Sequence, residues 1–250
     1  MKPKLTTTFR IEDVDPGRMS VNVAVLIDVI GTTSVLSHAL EHGASAVHVM
    51  HSELDAHRRA QQWSKDPDNT EPLIHCKGWD ESGQFRPVVH GQQWVITSVT
   101  YALIQLAASA QYMYAASLLN ASAVVARLLA HEEPNVDFLC ASPVGRLNLI
   151  DLYTTGYLIE QLINARPNEW VLSESSRIAV AVYHEYRSSI CRCIADSHGG
   201  RAGDIQISRD AAQFIARIDQ HSCLPIYKGD NIFVDDLAVA RRPLMHTLRH

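Results

Sequence analysis

The sequence predicts an α/β fold: three layers, α/β/α, around a largely parallel sheet, with an internal strand-helix repeat. The first observation behind this is a unit that occurs twice. Val25-Leu26-Ile27-Asp28 is an apolar run that ends in a carboxylate, followed by the small, hydroxyl-rich turn Gly31-Thr32-Thr33-Ser34. Helical apolar spacing then runs from Val35 to His42, an apolar run covers Ala46 to Met50, and His51-Ser52-Glu53 opens a further helix. The second copy begins at Trp94-Val95-Ile96-Thr97 and enters a turn carrying Ser98 and Thr100. Ala102 to Ala108 reads as helix, Gln111 to Ala116 as strand, and Ser117-Leu118-Leu119-Asn120 as the next helix start. The second observation is composition: 46% hydrophobic residues in a chain of 250 suffice for a packed core.

The elements follow in order. Residues 1–20 read as a loose lead-in with an edge strand at Thr6 to Ile11, and residues 21–65 as the first unit. Lys65 to Pro72 is a loop, Leu73 to Cys76 a short strand, and Lys77 to Pro87 an irregular excursion. Residues 92–131 form the second unit. Val136 to Cys140 is a strand that enters a third small-residue turn, Ala141-Ser142-Pro143-Val144-Gly145-Arg146. Helices are expected at Leu147 to Ile163, Ser173 to Ile190 and Asp210 to Ile218, with a break at Ser197-His198-Gly199-Gly200. Leu224 to Tyr227 and Asn231 to Val234, joined by Lys228-Gly229-Asp230, read as a hairpin. The whole of 1–250 is expected to be a single domain.

Composition excludes several function classes. The formal net charge is −5, and basic residues run no further than pairs such as Arg241-Arg242, so no nucleic-acid surface is expected. No run approaches the ~18 apolar residues of a membrane span. Five scattered cysteines, with no apolar leader after Met1, fit a cytoplasmic protein with reduced thiols. The apolar stretch from Val95 to Leu129 is compatible with a homodimer.

In parallel sheets ligands bind beyond the carboxyl ends of the strands. That edge would gather Asp28, the Thr32/Thr33 turn, Thr97, Ser117, Asn120 and Ser142. Turns that open helices bind phosphate, sulfonate or carboxylate through free N–H groups, although the same hydroxyls also serve as ordinary helix caps. Arg146 adds a planar fork of donors. Asp28 can hold Mg²⁺ or orient a water, or else cap a turn. Asp151 either faces the crevice or pairs with an arginine. Ser197-His198 offers a general acid or base beside flexible glycines, or a surface turn. His38 and His42, four apart, could supply half a metal site, but no carboxylate or cysteine partner is evident and a solvated helix face is expected. Cys191-Arg192-Cys193 lacks a second pair for zinc, and no Gly-x-x-x-x-Gly-Lys, Gly-x-Gly-x-x-Gly or Gly-x-Ser-x-Gly motif occurs.

Taken together, these segments resemble the 2-phosphosulfolactate phosphatase family from about Val21 to Ile232. The residues that carry the resemblance include Val25 to Ile30 with Thr32-Thr33, Ser117 to Ala121, Cys140-Ala141, Gly145-Arg146, Asp151, Gly156, Ser197-His198-Gly199 and Pro225-Ile226-Tyr227. The resemblance implies a three-layer fold and Mg²⁺-dependent hydrolysis of a phosphate monoester of a small anionic metabolite. Asp28 would then hold the metal, with Asp151 as a catalytic residue and second candidate ligand, and His198 would protonate the leaving oxygen or hydrogen-bond to the substrate. Thr32, Thr33, Thr97, Ser117, Asn120, Ser142, Arg146 and Ser197 would hold the substrate. The chain departs from the family pattern in the crevice. Gly31 stands where Arg is usual, His75-Cys76-Lys77 where Gly-Glu is usual, Thr97 to Ala102 where a Thr-Thr-Thr-Asn-Gly-Thr turn is usual, and Ile150 where Glu is usual. Two further readings therefore stay open: a different reaction built on His75, Cys76 or Tyr101, and a non-catalytic binder of small anions.

Overall fold

A computed structural model describes residues 2–76, 78, 84–131, 135–140, 147–197 and 208–238. The strands in chain order are β1 (Lys4–Thr8), β2 (Val23–Ile27), β3 (Ala46–Met50), β4 (Leu73–His75), β5 (Gln93–Thr97), β6 (Tyr112–Ala116), β7 (Val136–Cys140), β8 (Val171–Leu172), β9 (Pro225–Tyr227) and β10 (Ile232–Asp235). The helices are α1 (Pro16–Met19), α2 (Thr32–Glu41), α3 (Glu53–Trp63), α4 (Tyr101–Ala107), α5 (Ala121–Ala130), α6 (Leu149–Ala165), α7 (Glu174–Tyr186), α8 (Ile190–Asp196) and α9 (Arg209–Ile215). All ten strands join one sheet in the order β4-β5-β3-β10-β9-β6-β2-β7-β1-β8. Most pairs are parallel; β9 and β10 run antiparallel to each other and to their neighbours β6 and β3.

The central strand β2 accounts for the layering. Its side chains alternate between faces, as in any strand. Val23, Val25 and Ile27 enter one core with residues of α5, α6, α8 and α9. Ala24 and Leu26 enter the other with residues of α2 and α4. All five are buried, which is why the strand reads as a continuous apolar run. β5 and β6 sit inside the same sheet, so the apolar character of Val95 to Leu129 is spent on this core.

Two elements differ from expectation. β1 lies between β7 and β8 rather than at an edge. The helix expected to reach Ile190 stops at Tyr186 and α8 restarts at Ile190; Ser188 and Ser189 fall in the gap, and serine competes with the helical backbone for hydrogen bonds. The two repeats interleave in the sheet. β2 and β3 belong to the first, β5 and β6 to the second, yet the pairs formed are β2 with β6 and β3 with β5. The β9–β10 hairpin fills the space between the two pairs.

Two features hold the frame. α6 and α7 cross so closely at Gly156 that a Cβ there would lie 2.1 Å from the Ala179 carbonyl oxygen. Near the amino end of β7, Asp137 is buried, with Oδ1 2.7 Å from Arg18 Nη2 and Oδ2 accepting from Asn22 Nδ2 at 2.5 Å.

Candidate active site

The connections change side at the middle of the sheet. After β2 the chain moves into α2 on one face; after β6 and β7 it moves into α5 and α6 on the other. Such a switch point opens a crevice at the carboxyl ends of the strands. Ile27 is in register with Ala116 of β6 and with Cys140 of β7. Asp28 and Ser117 therefore leave adjacent strands at one level, as the repeat predicts.

Asp28 is buried and folds back over the start of α2. Its Oδ2 accepts from Thr32 N at 2.8 Å and from Thr100 Oγ1 at 2.7 Å. Thr32 Oγ1 meets Ser98 Oγ and donates to Thr100 Oγ1 at 3.1 Å. The hydroxyl turns of the two repeats thus meet at one carboxylate, although four strands separate β5 from β2 in the sheet. Gly31 makes the fold-back feasible, since a Cβ there would stand 2.6 Å from Asp28 Oδ2. No hydrogen bond from the described residues reaches Asp28 Oδ1.

Asp151 reaches the same place from α6. It is fully buried; its Oδ1 accepts from Val29 N at 2.9 Å, and its Oδ2 has no hydrogen-bond partner among the described residues. Burial first, and then the neighbouring Asp28 carboxylate, pushes the Asp151 carboxyl well above the usual carboxylate range. Thr155 donates to the Asp151 carbonyl at 2.9 Å and touches Cys140 Sγ at 3.5 Å. Burial pushes the Cys140 thiol up to about 12, so it stays protonated at neutral pH.

The remaining predicted residues are spent largely on the frame. Thr33 Oγ1 accepts from Asp28 N at 3.2 Å. Thr97 Oγ1 donates to Glu53 Oε1 at 3.3 Å, so Ser98 and Thr100, rather than Thr97, serve Asp28. Ser117 donates to Asn120 Oδ1 from its N and its Oγ, and Asn120 Nδ2 reaches the Ala115 and Cys223 carbonyls. These two buried residues knit β6 to the lead into β9. Ser197 Oγ accepts from Ile150 N at 3.0 Å and donates to Cys193 O at 2.8 Å, capping α6 beside Asp151. Ser142, Arg146 and His198 lie outside the described residues. His75 Nε2 stands 3.0 Å from Glu53 Oε2, and burial raises the Cys76 thiol, which speaks against a reactive thiolate there.

The histidine pair needs correction. His38 is half-buried rather than on a solvated face, stacked on Phe85 at a ring distance of 4.3 Å. A third ring, His221, joins it and His42, so the partner absent from the helix comes from the segment before β9. Burial, then His42 and His221, pushes the His38 ring down to about 3.

Among the described residues, no helix is long and apolar enough to cross a membrane. A family model described as 2-phosphosulpholactate phosphatase matches residues 85–230, a span that contains Ser98, Thr100, Asp151 and Ser197. A probable 2-phosphosulfolactate phosphatase of Thermus thermophilus is 28% identical over 226 residues, covering 87% of this chain and 93% of that protein. A protein of the same description from Parasynechococcus marenigrum is 25% identical over 237 residues, 90% of this chain and 96% of its own length. A third, from Clostridium perfringens strain SM101, is 27% identical over 191 residues, 72% of this chain and 76% of its own.

Proposed function

The chain belongs to the 2-phosphosulpholactate phosphatase family, and from that premise we propose that it hydrolyses a phosphate monoester of a small anionic metabolite, with Mg²⁺ held between Asp28 and Asp151. The observation that carries this reading is the buried, unpartnered Oδ2 of Asp151 beside the Asp28 carboxylate. Two carboxyl groups sealed together lack a positive charge, and their hard oxygens suit Mg²⁺. Bound there, Mg²⁺ would neutralise charge building on the phosphoryl oxygens.

The chain's own groups do the rest. The Thr32 N–H and the Thr100 hydroxyl fix Asp28 through Oδ2 and leave Oδ1 for the cation. Val29 N fixes Asp151 in the same way, so ligand geometry is set before the ion arrives. Mg²⁺ held there would favour the ionised form of Asp151. Water adds its oxygen to phosphorus and releases one proton to solvent, the ester P–O bond breaks, and the leaving alkoxide takes a proton, giving an alcohol and hydrogen phosphate. In this reading Arg146 and Ser142 hold the anion, and His198, next to the α6 cap Ser197, delivers that proton; their roles rest on the sequence.

The substrate differs from that of the relatives' printed names. Gly31, where the family resemblance implies a cationic side chain, leaves room for the Asp28 fold-back, so the first turn of α2 is answered by the protein's own carboxylate. Losing one preorganised charged donor typically costs about 10²–10³ in rate. Turnover of 2-phosphosulfolactate should be correspondingly weak, with better turnover elsewhere in a panel of small phosphate monoesters. Phosphate release measured across such a panel, with and without Mg²⁺, tests the proposal. Activity that appears with Mg²⁺ and is lost in Asp151→Asn supports it; Mg²⁺-independent turnover that survives Asp151→Asn sinks it.

A further inference from the structure

We propose a second metal site in this chain: His38, His42 and His221 bind one borderline transition ion, Zn²⁺ first, and pin α2 to the segment that enters β9. One ligand atom from each of the three lies within 4.8 Å of the other two. Tetrahedral Zn²⁺ with Zn–N bonds of about 2.0–2.1 Å needs N···N separations of roughly 3.4 Å, which small side-chain rotations supply. His42 is exposed, whereas His38 is half-buried and His221 buried, so two of the three rings are held by their surroundings.

The surroundings are those of a ligand set rather than of a chance cluster. His42 Nδ1 is hydrogen-bonded to the His38 carbonyl at 2.9 Å. His221 Nδ1 is bonded to Ser37 Oγ at 2.9 Å. Bonds of this kind fix ring orientation in metal sites. His38 Nδ1 is buried with no hydrogen-bond partner among the described residues, the condition a metal–nitrogen bond would relieve. Phe85 and Phe214 wall the cluster, with ring distances of 4.3 Å from Phe85 to His38 and 5.8 Å from Phe214 to His221. Glu41 also accepts from Ser222 N and Cys223 N at 2.9 Å each, so the two backbones are already tied beside the rings.

The donor chemistry separates this site from the crevice. Three imidazoles suit Zn²⁺ and disfavour Mg²⁺, whereas the Asp28–Asp151 pair has the reverse preference. His38 lies six residues beyond the start of α2 and His42 just past its end, roughly 9–15 Å along the axis. Exposure of His42 leaves the outer coordination position to water.

The test uses untagged full-length protein. Zn²⁺ affinity is read by competition with a chromophoric chelator, and Co²⁺ is added as a spectroscopic probe of coordination. We expect one Zn²⁺ per chain, a tetrahedral Co²⁺ spectrum, and no competition from excess Mg²⁺. His42→Ala, at an exposed position, should fold normally and weaken Zn²⁺ binding on the order of 10²-fold; His38→Gln should do the same. Chelation should lower the melting temperature of wild type and leave that of His42→Ala unchanged. Zn²⁺ binding that is absent, or equal in wild type and both variants, overturns the site. Phosphatase activity is not a readout here, so this site and the crevice proposal fail independently.

Discussion

Asp137 and Asp151 are the same residue type, 1% and 0% exposed, near opposite edges of one sheet. At the amino edge, Asp137 has both oxygens answered, one by Arg18 and the other by Asn22. At the carboxyl edge, Asp151 has one oxygen answered by Val29 N and the other by nothing among the described residues. Burial raises both carboxyls, but at Asp137 Asn22 and Arg18 pull back, whereas at Asp151 the neighbouring Asp28 pushes further in the same direction, ahead of smaller pulls from Val29 N and Asn148. At the amino edge the open atom is a donor, Arg18 Nε, beside a carboxylate answered on both oxygens; at the carboxyl edge it is an acid oxygen beside a second carboxylate, the arrangement that marks where a cation is missing.

The sharpest break is at the closed end. Arg18→Ala leaves a buried carboxylate with only Asn22, and should cost about 3–5 kcal/mol of stability in urea unfolding. A loss under about 1 kcal/mol would place Arg18 among the ordinary surface ion pairs. Gly156→Ala comes next. Its Cβ cannot fit against the Ala179 carbonyl, so α6 must move off α7 and carry Asp151 with it. A loss of about 1–3 kcal/mol is expected, together with falling activity; full activity would mean that α6 tolerates the shift.

Asp151→Asn should separate the two edges most clearly. It removes a poorly satisfied acid, so stability should change by less than about 1 kcal/mol or rise, while Mg²⁺-dependent turnover disappears. Equal losses of stability in Asp151→Asn and Arg18→Ala would erase the contrast. The smallest effect is in pH. The folded-state pKa of Asp151 stands above its ordinary 3.8, so the folded protein holds a proton that the unfolded chain has released. That contribution to stability is present below pH 3.8 and is lost as pH rises through the folded value. Without Mg²⁺, Asp151→Asn should therefore gain on wild type as pH rises from 4 toward neutrality, and Mg²⁺ should close the gap. A difference that is flat in both conditions would show that Asp151 titrates normally.

Much of this edge was legible in the sequence. Apolar runs located β3 and β7 to the residue, because strands buried on both faces carry their signal locally. The duplicated strand-turn-helix pattern placed Asp28 at a strand end and foretold that hydroxyl turns converge there. The sequence does not show that Thr100 serves Asp28, because that contact depends on the interleaving of the repeats, which is a matter of long-range pairing. Nor does it show that Ser117 and Asn120 satisfy each other, since a helix-opening hydroxyl looks the same whether it faces a ligand or a neighbour. His38 and His42 were visible as a pair through their helical spacing. His221 was hidden, because nothing local links a residue before β9 to α2.

The β9–β10 hairpin also governs the order in which the molecule can be assembled. Without it, β4-β5-β3 and β6-β2-β7-β1-β8 share no strand pairing, and β3 and β6 each present an open edge. A ribosome reaches this hairpin only after every other described strand has been made. Until then the nascent chain carries two half-sheets with exposed edges, the kind of surface that invites mispairing between molecules. Closing the gap links strands distant in sequence, a slow step for any chain. Productive folding of this protein should therefore be late in synthesis and sensitive to crowding by its own copies.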